Sequence, residues 1–190
     1  MIYKNIISNG IHLVISKLIP ALLLMLVNIF FSRQLSFTDY GNYQTVWSIV
    51  SVCVIITSFG LPRYILLFGN FSFYKKTEIK KTIITLFLLT SIPIGIYLFF
   101  FVNGFPSSTK ILIQILLVSQ AFYFIQEANI IAKQKNKILI TTNFIYALLF
   151  FISQLTILYV VGYSLNLCFE AIIIISVIRY KNNNKSNLPG

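Results

Sequence analysis

The stretch YQTVWSIVSVCVIITSFGLPRYILLF, Tyr43–Phe68, decides how this chain is read. It holds 26 residues with a single charge, Arg63, and crossing a hydrocarbon layer takes only about 20. The run is also interrupted. Gly60 and Pro62 stand immediately before the arginine, and an arginine inside such a segment costs about 2.5–3.5 kcal/mol on insertion scales, so it is kept where it meets a polar partner, a water-filled cavity or the interface.

Working outward, the whole chain has the same character. Of 190 residues, 57% are hydrophobic and 10% charged, and the mean hydropathy of +0.85 excludes an ordinary soluble domain. The reading is an all-α, polytopic membrane bundle of six transmembrane helices: Ile11–Ser32, Tyr43–Phe68, Thr82–Val102, Ile111–Ile131, Ile138–Val160 and Leu165–Tyr180. Residues 1–180 form the membrane lobe, and residues 181–190, low in complexity and polar, form a disordered cytoplasmic tail. The first run is too long for a signal peptide and lacks a cleavage site, so it is expected to remain as an anchor.

A net charge of +11 would suggest nucleic acid in a soluble protein, but here the cations sit in short loops. Lys4, Lys75, Lys76, Lys80, Lys81, Lys133, Lys135, Lys137, Arg179, Lys181 and Lys185 fall on one side, and Arg33 and Lys110 on the other, which is 11 against 2. The positive-inside rule then places both termini in the cytoplasm, with the chain in the cell (inner) membrane. Cys53 and Cys168 lie inside spans and read as small apolar fillers.

Enzyme chemistry finds little support. His12 has no metal-ligand spacing to any His, Cys or carboxylate and reads as an interfacial ring. Asp39, Glu78, Glu127 and Glu170 fall in four different segments, and neither a nucleophile motif nor a glycine-rich phosphate loop is present. No catalytic residue, cofactor or metal is expected. The polar residues instead form helical stripes: Gln120, Tyr123 and Glu127 in one span, Gln44, Ser48, Ser51, Ser58 and Pro62 in another, and Lys17, Ala21, Leu24 and Asn28 in the first. Any single such residue is accounted for by a hydrogen bond between helices, but stripes on several helices point to a shared aqueous cavity. Between spans, Ser36-x-x-Asp39 has the form of a capping box, and Gly41 is expected to allow a close backbone approach.

Two segments carry a family resemblance. ISKLIPALLLMLVNIFFSRQLS, Ile15–Ser36, and DYGNYQTVWSIVSVCVIITSFGLPRYI, Asp39–Ile65, with Tyr40-Gly41 and FGLPR at Phe59–Arg63, resemble the start of the O-antigen and capsule repeat-unit flippases of the multidrug/oligosaccharidyl-lipid/polysaccharide exporter superfamily. The resemblance covers roughly the first 70 residues. It implies one lobe of a two-lobe transporter that moves polyprenyl-diphosphate-linked oligosaccharide to the outer leaflet for polysaccharide (O-antigen, lipopolysaccharide or capsule) biosynthesis, with a second six-helix lobe or a homodimer partner. A membrane-embedded transferase or polymerase of the same pathway, and a non-transporting truncated remnant, are the alternatives.

Within the flippase reading, Arg63, Lys17 and Glu127 lie four to six residues from the inner ends of their runs, or roughly 6–9 Å deep at 1.5 Å per residue. They form an expected substrate-binding belt with Asn28, Gln120 and Tyr123, and Gly60 and Pro62 form the expected hinge. Glu127 partners one cation and leaves the other for the diphosphate.

Overall fold

The computed structural model describes residues 2–58, 60–68, 76–101, 104–133 and 135–185. Phe59, residues 69–75 with Lys75, and the tail residues 186–190 lie outside the described residues, as do the side chains of Lys4, Lys76, Lys80, Lys81, Lys181 and Lys185. The elements are α1 (Ile2–Gln34), α2 (Phe37–Ser58), α3 (Leu61–Phe68), α4 (Lys76–Phe101), α5 (Ser107–Ala132), α6 (Asn136–Thr156), a π-helical turn (Ile157–Val161) and α7 (Leu165–Lys185). Among the described residues every regular element is helical. Each of the six apolar runs became helix, and the run that opened the reading became two.

Among the described residues three helical stretches are long and apolar enough to cross a membrane, Gly10–Gln34, Ser107–Ala132 and Lys137–Val161, and the bent pair α2 and α3 makes a fourth if taken as one span. In α4 the apolar stretch Phe87–Phe100 is shorter. α7 includes Glu170 and Arg179 and continues through KNNNK to Lys185, so helix extends into the first residues of the expected tail. The outward surface is apolar, as in Leu89, Ile55 and Met25, which are 68%, 67% and 59% exposed. Such a surface suits lipid and not water.

The chain folds as two compact units, Met1–Asn42 with Gln134–Gly190, and Tyr43–Lys133. In the first, α1 packs along α6, and α6 along α7. Val27, Phe31, Ala147, Phe150, Phe169 and Ile172 are buried there, and Phe31 meets Tyr163 edge-on at 5.9 Å. In the second, α5 receives both α3 and α4, and Leu61, Ile65, Phe87, Ile113, Leu116 and Ala121 are buried. Cys168 is buried in the first unit and Cys53 half-buried in the second, both as free thiols.

Local signals are realised at the start of α2. The Asp39 N–H donates to Ser36 Oγ at 3.1 Å, and the Ser36 hydroxyl donates to the Asp39 carboxylate at 2.7 Å, so this capping box closes through two side chains. Gly41 departs from expectation: a Cβ there would meet nothing within 4 Å. It is an exposed position on a helix, with no close backbone approach to require it.

Candidate functional site

The interruption in Tyr43–Phe68 is a complete stop. Gly60 takes φ +72°, a conformation that costs an L side chain roughly 1–2 kcal/mol, and α2 and α3 meet there at 47°. Ending α2 at Ser58 leaves its last carbonyls without helical donors. Thr90 of α4 repairs one of them, its hydroxyl donating to the Thr57 carbonyl at 2.7 Å, while the Ser58 hydroxyl turns back to the Ile55 carbonyl at 2.9 Å. The Thr57 hydroxyl is itself buried without a hydrogen bond among the described residues. Pro62 stands second in α3, where a missing N–H goes unnoticed because the first turn has no helical acceptors. The expected hinge pair thus divides its work: Gly60 turns the chain, and Pro62 is compatible with the restart.

Arg63 is exposed. Leu61 and Ile65 are buried on the side of α3 that packs on α5, and Arg63 stands roughly 200° around the helix from Leu61. On α5, Gln120 and Tyr123 are half-buried and Glu127 is 3% exposed, and the three share one face as their spacing requires.

In the first unit, Lys17 is exposed and Asn28 half-buried. Asn28, with Ala21, Leu24, Met25, Ser32 and Tyr40, lines an open groove of about 370 Å³. The groove unites three members of the first-span stripe with the tyrosine of Tyr40-Gly41. Lys17 is not among its lining residues.

The same unit contains a polar network that sequence reasoning missed. Pro20 lies inside α1 and has no N–H to give the carbonyl four residues earlier, that of Ser16. Asn143 of α6 supplies the donor: its Nδ2 reaches the Ser16 carbonyl at 3.1 Å. Its Oδ1 in turn accepts from Arg179 Nη2 of α7, and the guanidinium lies 4.1 Å from the centroid of the Tyr146 ring, within cation–π range. Asn143 and Arg179 are 2% and 7% exposed. The sequence reading counts Arg179 among the loop cations. Without it the expected distribution is ten cations on one side against two on the other.

At the other end of this unit, the Tyr163 hydroxyl donates to the Asp39 carbonyl at 3.3 Å. Burial pushes the Tyr163 phenol well above its ordinary range, with Cys168 and Asp39 adding to the shift, so it remains a donor throughout the physiological pH range. Among the described residues no group of His, Cys, Asp and Glu gathers in a way that would hold a metal ion. Compared with known proteins, the chain matches no family model, no curated protein and no solved structure.

Proposed function

We propose that the chain is one lobe of a flippase that carries a polyprenyl-diphosphate-linked oligosaccharide across the cytoplasmic membrane by alternating access, without chemistry on its substrate. In this reading all six apolar segments span, both termini are cytoplasmic, and a second lobe or a second copy of the chain completes the pathway. The observation that carries it is the discontinuous helix at Gly60 with an exposed Arg63 just beyond the stop. Interrupted backbone at membrane depth is tolerated where protein or a wet cavity receives it, and transporters build their ligand sites at such breaks. Arginine suits a diphosphate because its planar fork binds oxygens in pairs. Arg63 faces away from α5 and is left for the phosphate, Gln120, Tyr123 and Glu127 give α5 a polar face of its own, and in the first unit the exposed Lys17 and the groove at Asn28 offer further polar surface.

The test is flipping of a fluorescent lipid-linked oligosaccharide in vesicles containing the chain. Arg63→Ala should slow it by about tenfold or more, the worth of one charged hydrogen-bond pair, Arg63→Lys should recover part, and Lys17→Ala should be milder. Wild-type flipping by Arg63→Ala at equal expression would reduce the arginine to a headgroup anchor and remove the ground for this reading.

A further inference from the structure

The second unit contains a cleft that the proposed function does not use. It lies between α4 and α5, encloses about 430 Å³, and takes its shape from two small residues of α4, Ser91 and Gly95. Its polar floor is already satisfied, because Gln114 Nε2 donates to the Gly95 carbonyl at 3.0 Å. The rest of the lining is hydrocarbon and aromatic, with Ile92, Ile96, Phe99 and Phe100 along one wall. Ile92, Ile96 and Phe100 are 56%, 55% and 67% exposed, so the cleft opens sideways, where a lipid can enter from the bilayer.

One cation stands at its rim. Lys110 lies one turn before Gln114 on the same face of α5. Its ammonium donates to the Phe99 carbonyl at 3.0 Å and sits 5.9 Å from the centroid of the Phe99 ring, itself part of the lining. That carbonyl is one of the last four of α4, which lack helical donors and carry the negative end of the helix dipole. They fix the lysine where it is. An ammonium has three protons, and the carbonyl takes one.

We propose that this cleft holds an anionic phospholipid, one acyl chain lying along the apolar walls and the headgroup phosphate accepting from Lys110. A single cation matches a headgroup with one phosphate better than it matches a diphosphate carrying sugars, and the Gln114 amide of the floor is already engaged with Gly95, which leaves sugar hydroxyls few partners. The proposal is independent of the flippase reading.

Native mass spectrometry of the whole chain, released from nanodiscs of equal phosphatidylglycerol and phosphatidylcholine, tests it. Wild type should retain one phosphatidylglycerol. Lys110→Gln keeps a donor for the Phe99 carbonyl while removing the charge, and should lower retention by about fivefold, the size of one lysine's attraction for an anionic headgroup. Lys110→Arg should keep it. Gly95→Leu, which fills the cleft without touching the lysine, should remove the lipid altogether. Equal retention of the two lipids, wild-type retention by Lys110→Gln, or displacement by equimolar polyprenyl phosphate would overturn the proposal, the last by assigning the cleft to the carrier lipid.

Discussion

α1 and the α2–α3 segment each contain a proline within an apolar run, and they respond in opposite ways. α1 continues through Pro20 for 33 residues in all, and the carbonyl that the proline leaves open is met by Asn143 from α6. The second segment stops at Ser58, turns at Gly60 and restarts, and its open carbonyl is met by Thr90 from α4. Proline alone removes one donor and leaves the helix a path through the defect, whereas a left-handed glycine redirects the chain. The repairs differ too. At Pro20 the donor is tied onward to a buried arginine stacked on Tyr146, and at Gly60 a neighbouring hydroxyl, that of Thr57, stays without a hydrogen bond among the described residues. The first repair is anchored to a charge and the second to a neutral hydroxyl, and charge-assisted bonds are the stronger. The first interruption is therefore expected to be the stiffer of the two.

The largest effect expected on this contrast comes from Asn143→Leu. It takes the donor from the Ser16 carbonyl and the acceptor from Arg179 at once, in a place almost closed to solvent. Hydrogen bonds between membrane helices average about 0.6 kcal/mol, but bonds to a buried charge are worth about 1.5–3, so a loss of about 2–4 kcal/mol should appear in unfolding by denaturing detergent. A loss no greater than the membrane average would make the network an ordinary interhelical contact and erase the contrast.

Much of this architecture was legible in the sequence, and the reasons are local. Apolar length predicts the helical segments, Ser36 and Asp39 announce the cap, and Gly60 with Pro62 mark an interruption, expected as a hinge within one span where the structure has a full stop. The Asn143–Arg179 network was not legible because its terms are spread over the chain: Asn143 and the Ser16 carbonyl are separated by 127 positions. Arg179 sits where an apolar run gives way to KNNNK, and composition alone makes such a residue look like loop. One sign was available. A proline four residues after Ser16 guarantees an open carbonyl, and a lone asparagine in an apolar run such as ITTNFIYALLF is the kind of donor that fills one.

Thr90→Val sharpens the comparison from the other side. It removes the 2.7 Å bond to the Thr57 carbonyl while keeping side-chain volume, and no charge depends on it. A cost of about 0.6–1.5 kcal/mol is expected by the same detergent unfolding, accompanied by a wider distribution of distances between spin labels on α2 and α3 than in wild type. An unchanged distribution would mean that the bend is held by packing of Leu61 and Ile65, and Thr90 would lose its role as the clasp of the break.

The smallest effect tests the cause of the first repair. If Asn143 reaches the Ser16 carbonyl because Pro20 cannot, then Pro20→Ala restores the N–H of residue 20 to that carbonyl, and the amide of Asn143 becomes redundant for half of its work. By itself Pro20→Ala should change stability by only about 0.5 kcal/mol, since one donor replaces another at a carbonyl that was never empty. In its background Asn143→Leu should cost about 0.5–1 kcal/mol less than in wild type, a coupling that exceeds the scatter of independent sites. The Arg179 half of the network is untouched by the proline, so the remainder of the Asn143→Leu cost should persist. Strict additivity of the two substitutions would mean that the asparagine answers to the arginine alone. The proximity of its Nδ2 to Ser16 would then be a consequence of that pairing, and the proline would explain the open carbonyl but not what came to fill it.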